Sequence, residues 1–375
     1  LVGRRWFGER FDIETEREFD FQFKNIITTE PLVYDIRFGA ISESTSSFSV
    51  NINGNEVGSV AIGPAGDDLP SNGSQIFTTT NISSEDINVK LIYNKNGNPA
   101  ARGFLDYIRL RAKRELRAEG TQFEFKNLDI PATTGFVQYN LSNASEISQV
   151  WKINSLTDID TYRNVDLSQN FSFVTAHDSQ SNFIAVSPND YFQPKIDGSN
   201  KIVANQDLKG TIFYNNQGDF EDVDYVIITR QDYLPHAKRL ADFRRNNNNL
   251  NVKVVDLKSI YTEFSSGKPD IVAIRNFMKY IYENASSPND RIKYLCFIGD
   301  TSVDYKNRLQ GNNNIVPTFQ SLGSFATTRS SFMSDDFFTM MDPNEGDMNS
   351  GNKMDFAVGR IVLETQQQAK EAIDK

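Results

Sequence analysis

The sequence predicts a multidomain β plus α/β protein: a β-sandwich-like N-terminal region, then a parallel α/β region. Two changes of pattern carry this. The apolar residues repeat every second position up to about residue 215, and beyond about 222 short apolar runs alternate with helix-period segments. Length is the third observation, because 375 residues suffice for two domains with separate cores. The expected boundaries are 1–215 for the β-rich domain, as one body or two subdomains, and 216–375 for the N-terminal part of the α/β domain.

In the first part, "FDFQF" (19–23) and "FEF" (123–125) alternate strictly, which suits half-buried strands. "SFSVNINGNEVGSVAI" (47–62) sets Asn53-Gly54 between two β-rich arms, and that pair accepts positive φ at both turn positions, so a tight hairpin is expected. A second hairpin is expected from "INVKLIY" (87–93) through "NKNGNPAA" into "GFLDYIRLRAKREL" (103–116). Many short strands with Gly and Asn turns indicate a sandwich or barrel.

In the second part, "DVDYVIITR" (222–230) is the kind of β-branched run buried on both faces of a parallel sheet. "YLPHAKRLADFRR" (233–245) follows as a helix, with Pro235 tolerated in its first turn. "NVKVVDL" (251–257) is the next strand. Asp270 then caps a helix whose Ile271, Ile274, Phe277, Met278 and Ile281 face inward. "IKYLCFIGD" (292–300) and "MDFAVGR" (354–360) are the third and fourth strands, and a last helix starts at Thr365. Strands separated by helices of this length form right-handed βαβ units. The chain stops inside that last helix, so it is expected to be a fragment.

Lys and Arg number 39 against 49 Asp and Glu, a net charge of −10. This argues against nucleic acid or an anionic membrane as partner. No apolar run approaches the roughly 18 residues a membrane helix needs. The opening "LVGRRWFGER" lacks the apolar core of a signal peptide, so an exported protein would have lost its leader already. One cysteine excludes an internal disulfide framework and a Cys-rich zinc site.

That cysteine, Cys296, sits mid-strand between Leu295 and Phe297, whereas a nucleophile needs exposure and a group that lowers its pKa. The core is its expected place. Asp300 follows Gly299 at the carboxyl end of the same strand, the edge where open α/β sheets hold ligands. Asp304, Asp335 and Asp336 are candidates for the same rim. Each of these carboxylates reads either as a site-proximal group or as a loop cap. "DPNEGD" (342–347) offers Asp342, Glu345 and Asp347 as hard oxygen ligands suited to calcium, or as a solvated acidic turn; its spacing is not that of an EF-hand. His177 and His236 have no nucleophile or acid at a telling spacing, and neither a nucleophile elbow nor a phosphate-binding glycine loop is present.

In the order of its elements the second half resembles the gingipain family of cysteine peptidases. The residues that carry the likeness are "DYVIITR", "VKVVDL", "IYTEFSSGKPDIVAIRNF" (260–277), "IKYLCFIGD", "SDDFFTMMDPNEGD" (334–347) and "DFAVGR", with "GFLDYIRLRAKREL" and "NQDL" (205–208) extending it into the β-rich part. Within the family the likeness is to the C-terminal signal peptidase and sortase of the type IX secretion system in Bacteroidetes. The resemblance implies a protein of the bacterial cell surface, associated with the outer membrane, that removes C-terminal sorting domains from secreted cargo through a cysteine thioester. It implies transfer of the acyl group to water or to an amine of lipopolysaccharide, and an outer-membrane β-barrel protein as anchor. A histidine would take the thiol proton and backbone N–H groups would hold the oxyanion. Family members carry that His and Cys after the "GR" strand and its helix, which here means after Lys375, so no catalytic residue is assigned in this segment. No cofactor is required; structural calcium near Asp342, Glu345 and Asp347 is the metal the resemblance suggests. The alternative reading is a non-catalytic surface protein-binding module with an α/β scaffold. A third, a phosphate- or nucleotide-binding flavodoxin-like protein, lacks the glycine-rich loop it would need.

Overall fold

The computed structural model describes residues 6–65, 71–79, 84–129, 135–155, 157–176, 181–193, 206–321, 331–349 and 351–375. His177 and Asn205, the first residue of "NQDL", lie outside them. The described residues up to 193 from Phe7 form one compact unit, and those from 206 to 375 belong to another.

Alternation of apolar and polar residues builds the first unit as antiparallel sheets. One sheet runs, in spatial order, Arg10–Phe11, Arg102–Arg111, Leu32–Ile41, Ser71–Thr79; the other runs Glu16–Gln22, Asp86–Asn94, Ser46–Ile52, Asn55–Ile62. Leu32, Tyr34, Ile36 and Phe38 of one sheet and Ile87, Val89, Leu91 and Tyr93 of the other share a single core. Phe48 stands at its centre, stacked on Phe38 at 4.1 Å and edge-on to Phe11 at 5.1 Å. Asn53 and Gly54 take φ of 47° and 82° and close the predicted hairpin between Ser46–Ile52 and Asn55–Ile62.

The second predicted hairpin does not form. Asp86–Asn94 pairs with Glu16–Gln22 and Ser46–Ile52, while Arg102–Arg111 pairs with Arg10–Phe11 and Leu32–Ile41, so the two strands lie in opposite sheets. Both strands bury alternate residues in the shared core, and the turn through Asn96 and Gly97, at φ of 48° and 83°, carries the chain from one sheet to the other. Turn chemistry alone does not distinguish a hairpin from such a crossing.

A second, smaller core follows. The sheet Ile159–Arg163, Gln149–Ile153, Asn182–Val186, Gln122–Phe125 and the pair Phe136–Leu141 with Phe171–Ala176 gather Tyr139, Phe173 and Phe183 among Leu141, Ile147 and Val150.

In the α/β unit the strands Tyr225–Thr229, Val252–Asp256, Tyr294–Ile298 and Ala357–Ile361 form one fully parallel sheet in the spatial order second, first, third, fourth. Val226, Ile227, Ile228, Leu295, Phe297 and Ile298 are buried, as expected for strands covered on both faces. The helix Leu234–Asn248 carries Pro235 in its first turn and ends at Asn249 in the left-handed conformation. The helix Ile271–Glu283 buries Ala273, Ile274, Phe277, Met278 and Ile281, with Asp270 Oδ1 accepting from the Val272 N–H at 2.9 Å. Thr365 and Gln368 close a capping box on Gln366–Asp374. A further helix, Leu257–Phe264, starts directly after the second strand and buries Ile260 and Tyr261.

Gly103 lies where the sandwich core is tight: a Cβ there would lie 2.6 Å from Phe48 Cζ and 2.9 Å from Tyr93. Gly103→Ala should destabilise the sandwich by about 1–3 kcal/mol, as overpacking does. Urea denaturation of the 375-residue chain checks this, and an unchanged midpoint would contradict it.

Candidate functional site

Parallel pairing in register brings the carboxyl ends of the strands to one level. Thr229 stands beside Asp256 and Ile298, and Ile298 beside Ile361. The first strand has the second on one side and the third on the other, so the chain reverses its direction of progress across the sheet here, and the loops leaving the two sides part to form a crevice. Thr229 Oγ1 donates to the Ile298 carbonyl at 2.6 Å and ties the first and third strands at this edge.

The third strand leaves through Gly299, whose φ of 132° disfavours a side chain and where a Cβ would lie 2.4 Å from Ile315. The Asp300 carbonyl then accepts from the N–H groups of Ile315 and Val316, folding residues 301–314 back over the edge. Arg360 holds this turn from the fourth strand. Its guanidinium donates to the carbonyls of Gly299 and Val316 at 2.9 and 2.8 Å, and forms a two-pronged pair with Asp335 at 2.8 and 2.7 Å. The Arg360 side chain is 9% exposed and that of Asp335 16%, and the guanidinium lies 4.8 Å over the Phe297 ring.

The carboxylates singled out in the sequence take separate places in this edge. Asp335 is the half-buried partner of Arg360 and also accepts from Thr318 Oγ1 at 2.7 Å. Asp304 is buried and accepts from the Leu309 N–H at 2.6 Å. Asp300 is half-buried and accepts from the Thr301 N–H at 2.7 Å. Asp336 opens the short turn Asp336–Thr339, its carbonyl accepting from Thr339 Oγ1. The Asp300 and Asp304 carboxylates thus serve as loop caps, and Asp335 as an ion-pair partner.

In the acidic stretch, Glu345 accepts from the Asp342 and Lys353 N–H groups, and Asp347 from the Asn349 N–H. Among the described residues no group of three or more His, Cys, Asp or Glu is placed to hold a metal ion. Asp342, Glu345 and Asp347 are thus not gathered into a three-carboxylate group. Cys296 is buried, its Sγ facing the Phe297 carbonyl at 3.7 Å, and burial pushes its thiol pKa up. A thiol so placed is protonated and inaccessible, the opposite of a nucleophile. His236 is half-buried in the helix Leu234–Asn248.

The crevice itself is a cavity of about 800 Å³. Arg230 and Gln231 line it from the first strand's exit, Asp256, Lys258 and Tyr261 from the second's, and Tyr305, Asn312, Asn314, Ile315 and Gln320 from the folded-back loop. Arg230 is paired through Nε and Nη2 with Asp232, both at 2.7 Å. Asp256 has no such partner for Oδ1 among the described residues. Burial raises its carboxyl above the ordinary value, and the Lys258 backbone N–H pulls it only part of the way back. None of these lining residues was singled out in the sequence. The signal that pointed to Asp300, a polar residue at the carboxyl end of a buried strand, applies equally to Arg230 and Asp256.

A parallel α/β sheet in this strand order, with a crevice over its carboxyl edge, bounds the class of protein, and comparison with known proteins narrows it. Residues 219–375 match the model of peptidase family C25. Over its whole length the chain shares the fold of dimeric latent PorU from Porphyromonas gingivalis, with a TM-score of 0.80 and 24% identity; it covers 100% of this chain and 36% of that one. The chain thus spans about a third of that relative's length. Two carbohydrate-binding modules show only faint likeness. One is CBM36 in complex with calcium and xylotriose (15% identity, 30% of this chain, 92% of that chain, TM-score 0.22). The other is the CBM36-1 domain of a xylanase from the hindgut metagenome of Trinervitermes trinervoides (12%, 26%, 71%, TM-score 0.21). Likeness at that level carries no argument. No curated protein matches the chain.

The raised carboxyl of Asp256 sets a pH dependence. A group whose folded pKa lies above its unfolded value stabilises the fold below the unfolded pKa, and that stability is lost as pH rises through the folded one. Ionised Asp256 is therefore a cost at pH 7. Asp256→Asn should melt higher than the wild type at pH 7, with the margin shrinking as pH falls toward about 4. Thermal melts across that range test this, and a variant less stable at pH 7 would contradict it.

Proposed function

We propose that this chain is the N-terminal portion of a cell-surface cysteine peptidase and transpeptidase that removes C-terminal sorting domains from type IX secretion cargo and attaches the cargo to lipopolysaccharide. The observation that carries the reading is the agreement of both parts of the chain, sandwich and α/β unit together, with the fold of PorU, which a bare peptidase domain would not give. In this reading the thiol nucleophile and its histidine are supplied by sequence following Lys375. The burial of Cys296 supports that, because it removes the one thiol in the chain from consideration.

The α/β unit then serves as a buttress. Its Arg360–Asp335 pair fixes the carboxyl edge of the sheet, and the loops over that edge form one wall of the space substrate would enter. Cargo sorting domains, a β-barrel anchor in the outer membrane and a lipopolysaccharide amine are the partners this reading requires. No helix among the described residues is long and apolar enough to cross a membrane, which says nothing of a β-barrel.

The test is alkylation of the longer native protein with a thiol-reactive peptide inhibitor, with the labelled site mapped by mass spectrometry. Label is expected on a cysteine beyond Lys375, with Cys296 unlabelled until the protein is unfolded, and the 375-residue chain should show no thiol-dependent peptidase activity. Label on Cys296 in the folded protein, or none anywhere, would overturn the proposal and favour a non-catalytic binding module.

A further inference from the structure

The second, smaller β core has a sheet face turned away from its apolar interior, and that face carries an aromatic pair among polar groups. In the sheet Ile159–Arg163, Gln149–Ile153, Asn182–Val186, Gln122–Phe125, the residues Val150, Phe183 and Phe123 belong to the core side. By alternation Gln149, Trp151, Thr161, Arg163 and Glu124 stand on the opposite side. Trp151 is half-buried, and Tyr191, just beyond the strand Asn182–Val186, lies beside it: the two rings are within 18° of parallel, with centroids 6.2 Å apart. At that separation the rings are offset rather than superposed, so together they extend one flat apolar surface. Gln149 Nε2 donates to the Tyr191 hydroxyl and fixes the second ring, which remains 42% exposed.

The groups around the rings say what the surface takes. Thr161 pairs across from Trp151 and Arg163 across from Gln149, while Glu124 stands two strands over, across from Ile184, itself across from Trp151. All three polar residues are exposed and make no hydrogen bond or ion pair among the described residues. One guanidinium and one carboxylate leave the face without net charge, in a chain whose net charge is −10, so charge complementarity selects neither an anion nor a cation. A guanidinium only donates, a carboxylate only accepts and a hydroxyl does both, so the ligand offers donors and acceptors together. Four strands about 4.8 Å apart make the face about 14 Å wide, which takes a chain of units rather than one small molecule. A neutral polysaccharide meets these conditions: its hydroxyls both donate and accept, and the C–H faces of its rings lie well against the negative faces of aromatic rings. An apolar protein surface would instead leave Arg163 and Glu124 desolvated without partners.

We infer that this face of the second β core binds a neutral polysaccharide chain, whose sugar rings stack on Trp151 and Tyr191 and whose hydroxyls pair with Arg163, Glu124 and Gln149. The site lies outside the α/β unit and does not rest on the peptidase reading, so either can fail without the other.

Affinity electrophoresis of the full 375-residue chain in native gels containing mannan, galactan, xylan or mixed-linkage β-glucan tests it, with polygalacturonate as the anionic control. At least one neutral polysaccharide should retard the chain, and polygalacturonate should not. Trp151→Ala and Tyr191→Ala should each weaken binding about tenfold or more, while Tyr191→Phe, which keeps the ring and loses one hydrogen bond, should weaken it about threefold or less. The chain has two tryptophans, so Trp6→Phe leaves Trp151 as its only indole, and the emission of that variant should shift when the retarding polysaccharide is added. Melting curves establish that each variant is folded; if Trp151→Ala is not, Tyr191→Ala decides, because Tyr191 lies outside the strands. No retardation in any neutral gel would overturn the inference and leave the face to a protein partner. Equal retardation by polygalacturonate, an unshifted Trp151 emission, or binding unchanged in the alanine variants would overturn it as well.

Discussion

The α/β unit depends on one side chain. Arg360 reaches from the fourth strand under the exit of the third, and its planar fork holds the Gly299 and Val316 carbonyls and the Asp335 carboxylate at once. Lysine, with a single ammonium, has no geometry for these three directions. A nearly buried cation is tolerable only because every donor has a partner and a ring face lies beneath it. Remove it, and the half-buried Asp335 keeps only the Thr318 hydroxyl as a partner while the turn after Gly299 loses its anchor.

The loop this anchor fixes is long, and loops of such length without secondary structure cost conformational entropy to order. Two main-chain bonds to the Asp300 carbonyl, the Asp304 cap on Leu309 and the Asn312 contact to Asp304 distribute that cost over many small interactions. The outcome is a cavity wall whose polar groups are mostly committed inward.

Much of this was legible in the sequence because periodicity reports burial. The β-branched runs gave the parallel strands, and the Asp270 and Thr365 caps gave helix starts that the structure reproduces within a residue. The burial of Cys296 followed from its neighbours Leu295 and Phe297. What failed was long-range pairing. The strands 86–94 and 102–111 carry the pattern of a hairpin but belong to opposite sheets, since the same inward alternation serves either partner. The aspartates misled in a different way. A carboxylate at or after the end of a strand looks the same on paper whether it lines a cavity, as Asp256 does, or pairs with an arginine 25 positions away, as Asp335 does.

The central claim is that Arg360 organises the carboxyl edge of the sheet, and hydrogen–deuterium exchange on Arg360→Leu tests it most directly. The Ile315 and Val316 amides, which bond the Asp300 carbonyl, should lose protection, while those of the Leu32–Ile41 strand exchange as in the wild type. Unchanged protection at Ile315 and Val316 would show that the edge stands without Arg360.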